Sequence, residues 1–254
     1  MYIDILSGFL ANLSFALFLI LLGWLVYYAT KRRRLLKFFN IKSSKRLVIY
    51  LSNLRIITGG SLGIDNKQRS YNGFAVVYNE QLFATKFKER FNYLIPALSE
   101  SPSFLRKIVF ADINVSIIPS PIQESEIEAN SSIISFGSPG YNLVSKVIEK
   151  NSKSVARFTN DNNGIQIQNL PNLNNPFNGF IQRIVQNTSD NNRNLFYVAG
   201  LSERGTIGAA NYLLRNWEKI SKRYKNDDSF IIVVNFPTDN VENYSIVFEK
   251  KIEL

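Results

Sequence analysis

The sequence predicts an α/β protein: a single N-terminal transmembrane helix followed by a three-layer α/β domain with a mostly parallel sheet and a small antiparallel insertion. Three observations carry that expectation. Residues 5–30 are an uncharged stretch of 26 residues, longer than the about 20 needed to cross a bilayer as one helix. Several short apolar runs are continuous rather than alternating, the character of parallel strands buried on both faces. Helical patterns fall between many of them, the alternation expected of a sheet covered on both sides.

Residues 1–30 read as a transmembrane anchor, 31–45 as a basic juxtamembrane linker, and 46–254 as a cytoplasmic α/β ligand-binding domain. Lys31, Arg32, Arg33 and Arg34 follow the span, and Lys and Arg at that place are retained on the cytoplasmic side. The expectation is a single-pass protein of the inner (cell) membrane with its N-terminus outside. A cleaved signal peptide fits less well, because Asp4 is the only charge before the span and no Ala-x-Ala pattern follows it. Trp24, Tyr27 and Tyr28 close the span with side chains suited to the headgroup interface. Asn12 and Ser14, with the small residues Ser7, Gly8 and Ala11, offer a second helix hydrogen bonds and close approach. The alternative is that Asn12 lies near the outer interface and does little.

Within the domain, the runs 47–51, 113–118, 132–136, 195–199 and 230–236 read as strands. Residues 80–98 place Leu82, Phe83, Phe87, Phe91, Leu94 and Ile95 three to four apart, a helical spacing. Residues 103–110 read as a shorter helix after Pro102, and 141–150 and 206–223 as amphipathic helices. Residues 71–78 suggest a further strand or hairpin arm. Between 153 and 186 the pattern changes to short strands at 155–158, 164–168 and 180–185 around Asn-rich turns, read as an antiparallel insertion or sheet edge.

Composition removes several function classes. The net charge is +10, but Lys31, Arg32, Arg33, Arg34, Lys37, Lys42, Lys45 and Arg46 supply eight of those charges and leave +2 for the rest. The high pI therefore reflects topology and attraction to anionic lipid, and no long nucleic acid is expected as a partner. Cys and His are absent, which excludes disulfides, thiolate nucleophiles, His-based triads and Cys/His zinc sites. Neither a dinucleotide fingerprint nor a P-loop is present, and no cofactor is expected.

Two loops carry most of the functional interest. The first follows the 132–136 strand as Gly137-Ser138-Pro139-Gly140-Tyr141-Asn142 and leads into a helix. In open α/β sheets ligands sit beyond the carboxyl ends of strands, where helix N-termini offer free N–H groups. Ser138, Asn142 and Ser145 add side-chain donors and acceptors; the plain alternative is a turn that uses Gly and Pro for geometry. The second, Gly200-Leu201-Ser202-Glu203-Arg204-Gly205-Thr206, again joins strand to helix. Thr206 suits a helix cap, and the Arg204 fork suits phosphate or carboxylate, unless it pairs with Glu203 or a neighbour. A third loop, Ser52-Asn53 and then Thr58-Gly59-Gly60-Ser61, opens at the same edge if its strand is parallel to the others. The ligand-binding candidates are Ser52, Gly60, Gly137, Ser138, Tyr141, Asn142, Ser202, Arg204, Gly205 and Thr206. Tyr141 offers a surface for stacking on a base or is a helix staple. Glu80 and Asp112 are the carboxylates to inspect for catalysis, a helix N-terminal charge is the favoured role of Glu80, and no catalytic residue is assigned.

The pairing of Gly137-Ser138-Pro139-Gly140-Tyr141-Asn142 with the Gly200 to Thr206 turn resembles a group of bacterial α/β domains. Those combine a Gly-Gly-Pro-x-x-Asn-like turn with a Gly-x-x-x-x-Gly-Thr turn; Ser138 stands where their pattern has its second Gly. The resemblance covers residues 130–236. A short anchor before such a module also resembles membrane effectors of bacterial anti-phage signalling systems, CBASS-like ones included. That resemblance implies a nucleotide messenger that binds the soluble domain and drives membrane damage.

Two function classes follow. The first is a sensor of a nucleotide-like small molecule or short oligonucleotide that acts through a homo-oligomer of transmembrane helices, as a pore or membrane-disrupting effector. The second is a membrane-tethered nucleoside- or NAD-processing enzyme, since the 48–52 strand is similar to the start of nucleoside deoxyribosyltransferase and TIR-like folds. A tethered protein-binding scaffold is the third, plainer reading.

Overall fold

A computed structural model of the chain describes residues 2–41, 46–54, 76–92, 113–159, 164–168, 170–187, 192–237 and 243–253. Its first element is a helix, α1 (Tyr2–Phe38). Every described side chain from Asn12 to Tyr27 on it is exposed, and the helix is long and apolar enough to cross a membrane.

α1 does not stop at the basic cluster. It continues through most of the segment read as a linker, and Leu35, Phe38 and Phe39 are fully buried in the domain core. The helix ends in a Schellman motif: Ile41 N–H donates to the Leu36 carbonyl at 2.8 Å and Asn40 N–H to the Lys37 carbonyl at 3.1 Å. Asn40 takes the left-handed conformation this needs, with φ +52°. Asn194 then donates to the Phe38 carbonyl at 2.9 Å and Ser132 to the Asn40 carbonyl at 3.2 Å. Those bonds satisfy carbonyls that the helix end leaves open and fasten the helix to the sheet.

That sheet has seven strands: β1 (Leu47–Leu51), β2 (Val115–Pro119), β3 (Ser132–Phe136), β6 (Asn178–Asn187), β7 (Asn192–Gly200), β8 (Ser229–Asn235) and β9 (Ser245–Ile252). Their order is β2-β1-β3-β7-β6-β8-β9. β2, β1, β3 and β7 are parallel neighbours, whereas β6, β8 and β9 add antiparallel pairs. β8 points the same way as the parallel group, so only β6 and β9 run against it.

Two expectations need correction here. The 230–236 run is a strand, β8, but both its neighbours are antiparallel to it. The 180–185 run belongs to no insertion: β6 is an interior strand between β7 and β8. Only β4 (Ala156–Phe158) and β5 (Ile165–Ile167) form a separate antiparallel pair. Gln182 and Arg183 hid the character of β6, because both polar side chains are fully buried. The Gln182 side chain accepts from Val155 and Ala156 N–H at 3.2 and 2.9 Å, docking β4 on the sheet. Arg183 points to the other face, its guanidinium 5.0 and 4.7 Å from the ring centroids of Phe38 and Phe230. It donates to the Asp228 carbonyl at 2.9 and 2.6 Å and the Lys225 carbonyl at 2.5 Å. Burial pushes its pKa down to about 10.

Three layers result. One face of the sheet carries the end of α1, α2 (Tyr78–Asn92) and α4 (Glu203–Arg223); the other carries α3 (Leu143–Glu149) and the β4–β5 pair. α4 begins three residues before the expected 206 and is capped by Ser202, whose hydroxyl accepts from Gly205 N–H at 3.1 Å. Thr206, expected as the cap, instead lies in the first turn and donates to the Ser202 carbonyl at 3.2 Å. The helix expected at 103–110, residues 71–75 of the arm expected at 71–78, Asp112 and the Gly59–Gly60 loop lie outside the described residues; of the rest of that arm, Val76 makes an isolated antiparallel bridge with Asn53 and Tyr78 starts α2.

Candidate functional site

Parallel strands β1, β3 and β7 end at one edge of the sheet, and the chain leaves each of them there. A cleft of about 470 Å³ opens at that edge, lined by residues from each exit together with the start of α2 and with Phe158 of β4. Its size falls in the range of small-molecule sites, about 300–1,000 Å³.

Glu80 and Ser52 form its floor. Glu80 is buried, and its carboxylate accepts from Ser52 N–H at 2.7 Å and from the Ser52 hydroxyl at 2.8 Å. Burial raises the pKa of this carboxyl, the two Ser52 bonds hold it down, and the Glu203 carboxylate raises it further; the net direction is upward. Gly137 makes room for the pair. Its φ is +85°, and a Cβ there would lie 2.3 Å from Ser52 Oγ and 2.9 Å from Glu80 Oε1.

The wall opposite is the start of α4. Gly205 lies so close to β6 that a Cβ would stand 2.3 Å from the Asn178 carbonyl oxygen, which brings Ser202, Glu203 and Thr206 to the cleft. Glu203 accepts from Asn79 Nδ2 at 2.7 Å, joining the first turns of α2 and α4. Ser202 donates to the Pro176 carbonyl at 2.5 Å.

The structure thus brings together six of the ten candidates: Ser52, Gly137, Ser138, Tyr141, Ser202 and Thr206. Asn142 is fully buried and caps α3, accepting from Val144 and Ser145 N–H at 2.9 and 3.3 Å. Its amide donates to the Phe136 and Tyr50 carbonyls at 2.8 and 3.3 Å, so the side chain holds two strand ends. Gly205 serves packing. Arg204 is not among the lining residues; its guanidinium lies 4.8 Å from the Phe177 ring. Gly60 lies outside the described residues.

Sequence reasoning singled out Glu80 as a carboxylate to consider for catalysis beside a plain helix-terminal role, left it out of the ligand-binding candidates, and named neither Glu203 nor Phe158 for the site. An acid in the first turn of a helix is ordinary, and nothing local marks one that faces a second acid from another helix. The described lining holds two carboxylates, four aliphatic hydroxyls, the Tyr141 phenol and the Phe158 ring, with no cation. That set accepts hydrogen bonds from hydroxyl-rich ligands and offers rings to a flat apolar group.

Fold and site together define an α/β domain with a ligand-sized cleft at the carboxyl edge of its parallel strands, carried on a helix able to span a membrane. Comparison with protein-family models, curated proteins and solved structures returned no match.

Proposed function

We propose that this chain is a membrane-anchored sensor of a nucleotide-like small molecule or short oligonucleotide, gripped through its nucleoside portion. Ribose hydroxyls donate to Glu80 and Glu203, and the base stacks on Tyr141 or Phe158. The observation that carries this reading is the course of α4. The helix begins in the cleft at Ser202 and Thr206 and ends against the anchor, where Trp217 meets Phe38 with ring centroids 6.5 Å apart and Glu218 pairs with Lys31 at 2.5 Å. Thr206 and Trp217 are eleven residues apart, about 17 Å along the axis. A ligand that shifts the first turn of α4 thereby shifts a body in direct contact with α1.

Output through the membrane needs several copies, because one helix cannot enclose a pore. An effector of the anti-phage type meets that description, with the C-terminal domain in the cytoplasm. The second reading, an enzyme acting on a nucleoside or NAD-like substrate, is favoured by one observation: a buried cleft carboxyl with a raised pKa is a candidate acid or base.

The test is a thermal-shift screen of the full chain in detergent against nucleosides, nucleotides, NAD and short cyclic or linear oligonucleotides, with mass spectrometry of the recovered compound. A stabilising compound returned intact, whose effect is lost in Glu80→Gln, supports the sensor. A cleaved compound supports the enzyme. An unchanged shift in Glu80→Gln refutes the placement of the ligand.

A further inference from the structure

A second cavity, of about 270 Å³, lies between α1 and α4 and is lined by Tyr27, Thr30, Lys31, Arg34 and Glu218. The four α1 residues are spaced i, i+3, i+4 and i+7, which puts them on one face of the helix. Lys31 Nζ stands 2.5 Å from the Glu218 carboxylate and 5.9 Å from the centroid of the Tyr27 ring. The lining therefore holds two cations, one acid, a hydroxyl and a phenol, a donor set with a net positive charge.

Depth identifies the ligand. Trp24, Tyr27 and Tyr28 form the aromatic end of the apolar stretch, the place of the headgroup boundary. Lys31 and Arg34 follow Tyr27 by about 6 and 10 Å along the helix axis, the level at which lipid phosphates lie. The cavity walls also hold a fixed relation, because Phe38 and Trp217 join α1 to α4 beyond it.

We propose that this cavity seats the phosphate of an anionic phospholipid. Arg34 offers its fork of donors, Thr30 and Tyr27 their hydroxyls, and Lys31 its ammonium. Glu218 is the internal anion that holds Lys31 when no headgroup is present. The headgroup competes with Glu218 for Lys31, so lipid composition acts on the helix that begins in the cleft. This inference rests on the reading that α1 spans a bilayer.

The test uses the full chain in nanodiscs of phosphatidylcholine with phosphatidylglycerol, the retained lipid being counted by native mass spectrometry. Arg34→Gln lowers phosphatidylglycerol enrichment by more than about tenfold, because it removes hydrogen bonds to the seated phosphate as well as the diffuse attraction of one juxtamembrane cation. Arg33→Gln, which removes the same charge from an exposed position outside the cavity, lowers it only by the diffuse share, about fivefold for about 1 kcal/mol per juxtamembrane cation. Glu218→Gln raises it. Equal losses for Arg33→Gln and Arg34→Gln mean diffuse attraction and overturn the seat. Inorganic phosphate that displaces the lipid at millimolar concentration shows a site for free phosphate and overturns the lipid assignment. Alkaline extraction separates the two readings: a protein washed from membranes refutes the span, while one that stays and shows no lipid preference refutes only the seat.

Discussion

Phe38 decides whether α1 is loosely joined to the domain or part of it. Its ring is fully buried, with Phe39, Phe196, Phe230 and Trp217 as aromatic neighbours at centroid separations of 4.8, 5.5, 6.4 and 6.5 Å. Its ring centroid also lies 5.0 Å from the Arg183 guanidinium. Phe38→Ala leaves a cavity and uncovers a buried cation. Truncating a core Phe destabilises by about 3–5 kcal/mol. For a chain of this size that lowers Tm by about 6–20 °C. The assay is thermal and denaturant unfolding of the full chain in detergent, with Lys37→Ala as control, since Lys37 is exposed on the same turn. A Phe38→Ala loss below about 1 kcal/mol, within the scatter of surface substitutions, would refute docking of the end of α1 in the core. Equal losses for both variants would indicate helix fraying instead. The same geometry implies that removing residues 1–42 strips Leu35, Phe38, Phe39 and Ile41 from the core.

Two further predictions concern the cleft. Gly205→Ala drives a methyl group into the Asn178 carbonyl and lifts α4 from β6, lowering stability by about 1–3 kcal/mol; an unchanged denaturation midpoint would refute the close approach. Glu80 predicts a pH signature. Its folded pKa is raised above the ordinary 4.5, chiefly by burial. The charged form therefore penalises folding above that raised value, and the penalty fades as pH falls towards 4.5. Glu80→Gln is accordingly more stable relative to wild type at pH 8 than at pH 5, measured by urea denaturation at each pH. The opposite slope would mean that the Ser52 bonds outweigh desolvation.

Local pattern sufficed for much of the fold. The uncharged 26-residue stretch, the continuous apolar runs of β1, β3, β7 and β8, and the helical spacing of Phe83, Phe87 and Phe91 each state a period or a length that needs no partner. The candidate loops were legible on the same ground: Gly-rich exits from buried strands mark an edge, and six of the candidates meet there. Tertiary structure alone decided the rest. Strand neighbours depend on contacts distant in sequence, so β6, with Gln182 and Arg183 inside it, reads locally as an insertion or edge and is an interior strand. Asn142 carries the residue type of a ligand contact and of a helix cap alike, and only the bonds it makes distinguish them. Glu80 and Glu203 are 123 positions apart in the chain, and neither has a local signal that it faces the other. The basic residues at 31–34 close the apolar stretch, while Phe38 and Phe39, a turn later, belong to the core, because the helix runs on until the sheet and Arg183 receive it.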